Sequence, residues 1–247
     1  MSQEWLVTRI EMGAMEDGSM ILSDRQNCGM VIFDCDGVLV DTIPLADAAC
    51  VRFFNNTGLE LSIADYRAIS SGRDLRAICE YCSDLAGVPF DADMPEQVRG
   101  EIVGALKGNV TAIPGAVDTV RRLHGNGQKL CVASSGAVSK MEMTLGAVGL
   151  LPVFDGLLFS AQDCGRGKPC PDVFLTAAQV MNVDVGRCVV VEDTLEGVQA
   201  AIAAGMQVFG FVRDAFAPCD EMERAGAQLF DDMAALEGVI YSLNGRF

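Results

Sequence analysis

The sequence predicts an α/β protein, a doubly wound parallel sheet with an all-helical segment inserted after its first strand. Two observations carry that expectation. Short apolar runs alternate with amphipathic helical stretches along most of the chain. The alternation breaks once, between about residues 44 and 110, where helical patterns follow one another with no strand between them. Runs of this kind, apolar throughout rather than on every second residue, suit strands covered on both faces.

The first run is MVIFD (30–34). KLCVAS (129–134), GLLFS (156–160), CVVVED (188–193) and MQVFGFV (206–212) are the other strand candidates. Pro114 opens a helix with Val117, Val120 and Leu123 on one face and Gly125 at its end. Residues 171–182 carry Val173, Phe174, Ala177, Ala178 and Met181 at helical spacing. The stretch 194–205 starts beside a capping Asp or Thr and stops at Gly205. Within the break, ADAACVRFFNNTG and DLRAICEYCSDLAG are amphipathic. The expected division is therefore a core of residues 30–43 and 111–247, a helical unit of 44–110, and a tail of 1–29 without sustained periodicity. Joints near Thr42–Pro44 and Thr111–Pro114 would let the helical unit close over the core.

Eighteen Lys and Arg against 34 Asp and Glu leave a formal charge of −16 over 247 residues. A surface this acidic repels nucleic acid and anionic membrane, so neither is an expected partner. An anionic substrate would need a local device, a metal ion or a well-placed Lys. No apolar stretch reaches the length of a membrane span. The first residues lack a basic start followed by an apolar run, and the ten cysteines show no framework spacing. A reduced, cytoplasmic protein with free thiols is the expectation. Cys79 and Cys82 form a CxxC with no second pair at zinc spacing, which reads as two thiols on one helix face. The one histidine, His124, excludes any site that needs two imidazoles.

The polar residues gather at strand ends. The first strand ends in Asp34-Cys35-Asp36-Gly37, the second in Ser134-Ser135-Gly136, and the fourth in Glu192-Asp193-Thr194, while Lys168 precedes a helix within GKPCPD. In a doubly wound sheet these ends line the ligand crevice, so Asp34, Asp36, Ser134, Lys168 and Asp193 converge in one cleft. Crowded carboxylates repel one another unless a cation sits among them, and oxygen ligands suit a hard ion such as Mg²⁺. A Mg²⁺, a Lys and hydroxyl donors around an Asp make a phosphoryl site. Asp is a competent nucleophile toward phosphorus, and Gly37 lets Asp36 swing toward the leaving oxygen as general acid.

DCDGVLVDT (34–42), ASSG (133–136), Lys168 in GKPCPD and VVVEDTLEG (189–197) resemble the four motifs of the haloacid dehalogenase-like hydrolases, over about Met30 to Val212. The resemblance implies a Rossmann-like core. The insertion is similar to the helical cap of the subfamily that holds beta-phosphoglucomutase and many sugar phosphatases. It also implies Asp34 as nucleophile, Asp36 as acid and base, and Ser134 and Lys168 on the phosphoryl group, with Ser135 beside them. Mg²⁺ would be held by the Asp34 carboxylate, the Asp36 backbone carbonyl and Asp193, with Glu192 near through water. Arg73, in SSGRDLRAI, is the candidate cap contact to an anionic substrate.

Asp36 argues against a dehalogenase, since the resembling dehalogenases lack it and use no metal. The mutases carry a His at the entry to the cap and a Lys soon after the second motif. Here Ala46 and Ala137 occupy those positions, which favours a hydrolase. The run from Val180 to Phe211 also looks like bacterial phosphatases acting on phosphosugars and phosphogluconate. The expected function is a Mg²⁺-dependent phosphatase of a small phosphosugar or phosphorylated sugar acid, acting through an aspartyl phosphate. A phosphosugar mutase is the alternative. A phospho-accepting receiver domain collects similar residues, but it is about half this length and has no helical insertion after its first strand.

Overall fold

Met30, Val31, Ile32 and Phe33 form β1 and send alternate side chains to the two faces of one sheet, and all four are fully buried. The computed structural model describes residues 28–213 and 217–241; the expected tail, apart from Cys28 and Gly29, lies outside them. The sheet has six parallel strands in the order β3-β2-β1-β4-β5-β6. These are β1 (Met30–Phe33), β2 (Lys129–Ser134), β3 (Leu158–Ser160), β4 (Cys188–Glu192), β5 (Gln207–Phe211) and β6 (Gln228–Phe230). The expected parallel sheet and its five strands are present, and β6 is an addition at the edge.

Helices cover both faces, which is why the strands read as continuous apolar runs. Val31 and Phe33 pack with Val120 and Leu123 of α5 (Ala116–Gly125), Leu145 of α6 (Val138–Ala147) and Ile240 of α10 (Leu236–Tyr241). On the other face, Met30 and Ile32 pack with Phe174 of α7 (Asp172–Val180), Val198 of α8 (Leu195–Ala203) and Met222 of α9 (Cys219–Ala225).

The break in the alternation holds four helices: α1 (Ile43–Asn55), α2 (Ile63–Ser70), α3 (Leu75–Ala86) and α4 (Met94–Leu106). They bury an apolar cluster of their own around Cys50, Phe54, Tyr66, Ile78, Cys79 and Cys82. Asp74 caps α3 by accepting from Ala77 N–H at 2.8 Å. Cys79 and Cys82 both point into that cluster as free thiols, and burial raises both pKa values to about 11. They are core thiols rather than reactive ones.

The chain leaves and re-enters the sheet side by side. Asp41 N–H donates to Thr111 C=O at 2.8 Å, and Ile113 N–H donates to Leu39 C=O at 3.0 Å. Val40 and Ala112 form an antiparallel bridge between those two bonds.

Candidate active site

Parallel strands put their carboxyl ends on one edge, so the residues after β1, β2 and β4 meet there. Asp34 continues β1, its N–H donating to Val191 C=O at 2.9 Å. The chain then turns back: Leu39 and Val40 both donate to Cys35 C=O, and Gly37 donates to Val40 C=O. Gly37 sits at φ +75°, and a methyl group there would fall 2.0 Å from Asp193 Oδ2. Only glycine fits both conditions.

Lys168, between β3 and α7, reaches the nucleophile from a third segment of chain. Its ammonium donates to Asp34 Oδ1 at 2.6 Å, to Glu192 Oε1 at 2.5 Å and to Ala133 C=O at 3.1 Å. Its side chain is 4% exposed, and the Phe174 ring lies 5.0 Å from Nζ. Burial opposes the ammonium, but the Asp34 and Glu192 carboxylates outweigh it and the Lys168 pKa is raised.

Glu192 is engaged on both oxygens. Oε1 takes Lys168, and Oε2 accepts from Asp193 N–H, Thr194 N–H and the Thr194 hydroxyl at 2.9–3.1 Å. It braces the start of α8 and the motif lysine. Its two oxygens are thus already satisfied by protein donors.

Three carboxyl groups, Asp34, Glu192 and Asp193, share one ammonium. Burial raises the Asp34 pKa, and Glu192 and Asp36 add to the rise while Lys168 opposes it. Burial likewise raises Asp193, with Glu192 and Asp34 adding to it. Asp193 Oδ1 is shut off from solvent and has no hydrogen-bond partner. The cluster is short of positive charge and has one oxygen waiting for it. A hard divalent cation answers both needs. Among the described residues, however, no three acidic, thiol or imidazole side chains close on one point. The Asp36 carboxylate, near enough to raise the pKa values of both Asp34 and Asp193, is itself taken up by other side chains. The donors left for a cation are the side chains of Asp34 and Asp193 and the Asp36 backbone.

Asp36 is held by two groups. The Thr42 hydroxyl donates to Oδ1 at 2.5 Å, and Lys140 Nζ sits 2.8 Å from Oδ2. Neither partner was assigned from the sequence. Ala137 does lack the amine expected soon after the second motif, but Lys140 brings one from the first turn of α6. The signal for it is that helical side chains lean back toward the N-terminus, which for α6 is the side of the second motif.

Ser134 is buried, and its Oγ accepts from Gly136 N–H at 3.3 Å. Ser135 is exposed at the rim, its carbonyl accepting from Gln162 Nε2 at 3.1 Å. Arg73 stays within the cap: it donates to Ile69 C=O, and its guanidinium lies 5.0 Å from the Tyr81 ring centroid. His124 is exposed near the end of α5, which leads into β2 at the edge opposite the crevice.

The family profile of the haloacid dehalogenase-like hydrolases matches residues 29–205. The chain belongs to this family. The haloacid dehalogenase-like enzyme is 35% identical over 185 residues to 6-phosphogluconate phosphatase of Escherichia coli, covering 74% of this chain and 82% of that one. It is 33% identical over 177 residues to the fructose-1-phosphate phosphatase YqaB of the same organism, covering 71% and 92%. A haloacid dehalogenase-family hydrolase from Deinococcus radiodurans, solved with bound phosphate and sodium, superposes with a TM-score of 0.73 at 26% identity, covering 88% and 97%. Family and relatives bear out the expected class, a phosphoric monoester hydrolase. No helix among the described residues is long and apolar enough to cross a membrane.

Proposed function

We propose that this enzyme is a Mg²⁺-dependent phosphatase of small phosphosugars or phosphorylated sugar acids that works through an aspartyl phosphate on Asp34. The observation that carries this reading is the buried Asp34 with Lys168 on one oxygen and, beside it, the unpartnered Asp193 Oδ1. The substrate names of the curated relatives support the phosphosugar class.

Asp34, the Asp36 carbonyl and Asp193 would hold the Mg²⁺, which when bound supplies charge neutralisation for the nucleophile and the phosphoryl oxygens. Lys168 keeps the Asp34 carboxylate aimed and supplies a fixed positive charge. Ser134 and the backbone N–H groups that lead into α6 bind phosphoryl oxygens. An Asp34 carboxylate oxygen attacks phosphorus, the bond from phosphorus to the ester oxygen breaks, and Asp36 gives that oxygen its proton. In the second half, Asp36 takes a proton from a water that attacks phosphorus, and the Asp34 bond breaks to release phosphate.

The test is phosphate release from a panel of phosphosugars, phosphorylated sugar acids, phosphoglycolate and nucleotides, with Mg²⁺ and with EDTA. Small phosphosugars or sugar acids should be the best substrates, and EDTA should abolish release reversibly. Undiminished release in EDTA would overturn the metal assignment. The mutase alternative needs contacts that bring a sugar hydroxyl back to the phosphoryl group; Ala46 supplies none at the entry to α1, and the amine that follows the second motif, Lys140, is taken up by Asp36. Beta-glucose 1-phosphate with a trace of the bisphosphate should therefore yield free phosphate or nothing. Glucose 6-phosphate forming faster than phosphate would move the enzyme to the mutases.

A further inference from the structure

We infer that Lys140 is a positioning residue that holds the Asp36 carboxylate in line with the leaving oxygen. The inference rests on the phosphatase reading above, and on three features of the structure that do not depend on it.

The first is the pairing itself. Asp36 lies beyond the end of β1, in a turn at the mouth of the crevice, with 19% of its side chain exposed. A carboxylate there has rotamers to choose from, and an acid must sit within hydrogen-bond reach of the atom it protonates. Lys140 Nζ at 2.8 Å from Oδ2 and the Thr42 hydroxyl on Oδ1 remove that freedom. The two anchors differ in origin. Thr42 stands at the entry to α1 and belongs to the joint with the helical insertion. Lys140 belongs to the sheet-bound helix α6.

The second feature is how firmly the turn carrying Lys140 is tied to the nucleophile segment. Thr144, fully buried one turn further along α6, donates to Lys140 C=O at 3.1 Å. The same hydroxyl lies 3.7 Å from the thiol of Cys35, the residue between the two aspartates. The base of Lys140 is thus registered against the backbone that carries Asp34 and Asp36.

The third is the path of the lysine stem. A methyl group built on Gly136 would stand 3.5 Å from Lys140 Cδ and 3.7 Å from both Asp36 Oδ2 and Ser134 Oγ. The stem therefore runs along the Ser134–Gly136 loop and reaches the acid from the phosphoryl side. The pair is partly buried, with the two side chains 23% and 19% exposed, and it fixes the direction of the Asp36 carboxyl group.

The test uses Lys140→Met, which keeps the stem and removes the charge, together with Lys140→Arg, Asp36→Asn and the double variant. Phosphoenzyme formation is followed in single turnovers with a phosphosugar and with p-nitrophenyl phosphate, whose leaving group needs little protonation. Lys140→Met should slow the phosphosugar reaction by about 10- to 100-fold, below the full general-acid contribution, with KM changed less than about threefold. The p-nitrophenyl phosphate reaction should slow by less than about threefold, and Lys140→Arg should recover most of the phosphosugar rate. In the Asp36→Asn background, removing Lys140 should cost less than about twofold more, since it acts through the absent acid. An equal loss on both substrates, a change in KM alone, or a multiplied loss in the double variant would overturn the assignment. If Lys140→Met does not fold, Lys140→Gln carries the same comparison. A native enzyme that hydrolyses no phosphomonoester would instead remove the phosphatase reading, before any substitution is made, and the positioning role with it.

Discussion

Lys168 and Arg73 are the two basic residues that the sequence offers to a phosphorylated substrate, and their surroundings are opposite. Lys168 lies beneath the sheet edge with its side chain 4% exposed and three oxygen partners from three segments of chain. Arg73 is exposed on the turn between α2 and α3, its guanidinium over one tyrosine ring. The first has a single place to be, set by burial and charge. The second can swing with little loss. Chemistry belongs to groups of the first kind, and selection among substrates can be left to the second.

Substitutions in the two regions should therefore differ in kind as well as size. Asp34→Asn should have the largest effect, with neither turnover nor phosphoenzyme detectable. Its thermal midpoint should be unchanged or higher, because a carboxyl whose pKa is raised by burial carries its charge at a cost in stability. A clearly lower midpoint would show that Asp34 supports the fold as well as the reaction. Asp36→Asn should lose roughly 10²- to 10⁴-fold in kcat, with a smaller loss on p-nitrophenyl phosphate. Equal losses across leaving groups would count against Asp36 as the acid.

Lys168→Met sharpens the contrast from the side of stability. It leaves Asp34, Glu192 and Asp193 buried with no cation among them. The metal-free protein should be destabilised by about 3–5 kcal/mol in a denaturant titration. A loss under about 1 kcal/mol would mean that the acidic cluster takes up protons when its lysine goes. Arg73→Ala should matter least. We expect KM for substrates with a second anionic group to rise by a few-fold, at constant kcat and unchanged stability. A fall in kcat would break the comparison and place Arg73 with the chemistry.

The same division explains what could be read from the sequence. Asp34, Ser134, Lys168 and Asp193 were legible because each follows or precedes an apolar run, and the topology of a parallel sheet brings such positions together whatever lies between them. β6 was not, because three residues, Gln228–Phe230, are too few to show a period. The helix α6 is a ten-residue stretch between two strands, and the part Lys140 plays depends on which turn of that helix it occupies. The role of Glu192 was only partly legible. Its place beside Asp193 suggested the metal, while the groups that occupy its oxygens, Lys168 and the first N–H groups leading into α8, are visible only in three dimensions. Arg73 is the hardest case, since no packing ties it to the crevice.

The bridge between Val40 and Ala112 has one more consequence. The helical segment begins and ends at neighbouring points, so to the sheet it is a loop whose two feet are already tied together. Closing such a loop costs little more when it is long than when it is short. A different set of helices could be spliced between those two residues without moving β1 or the crevice, and lineages of such proteins can exchange what they recognise while inheriting unchanged the apparatus that cuts.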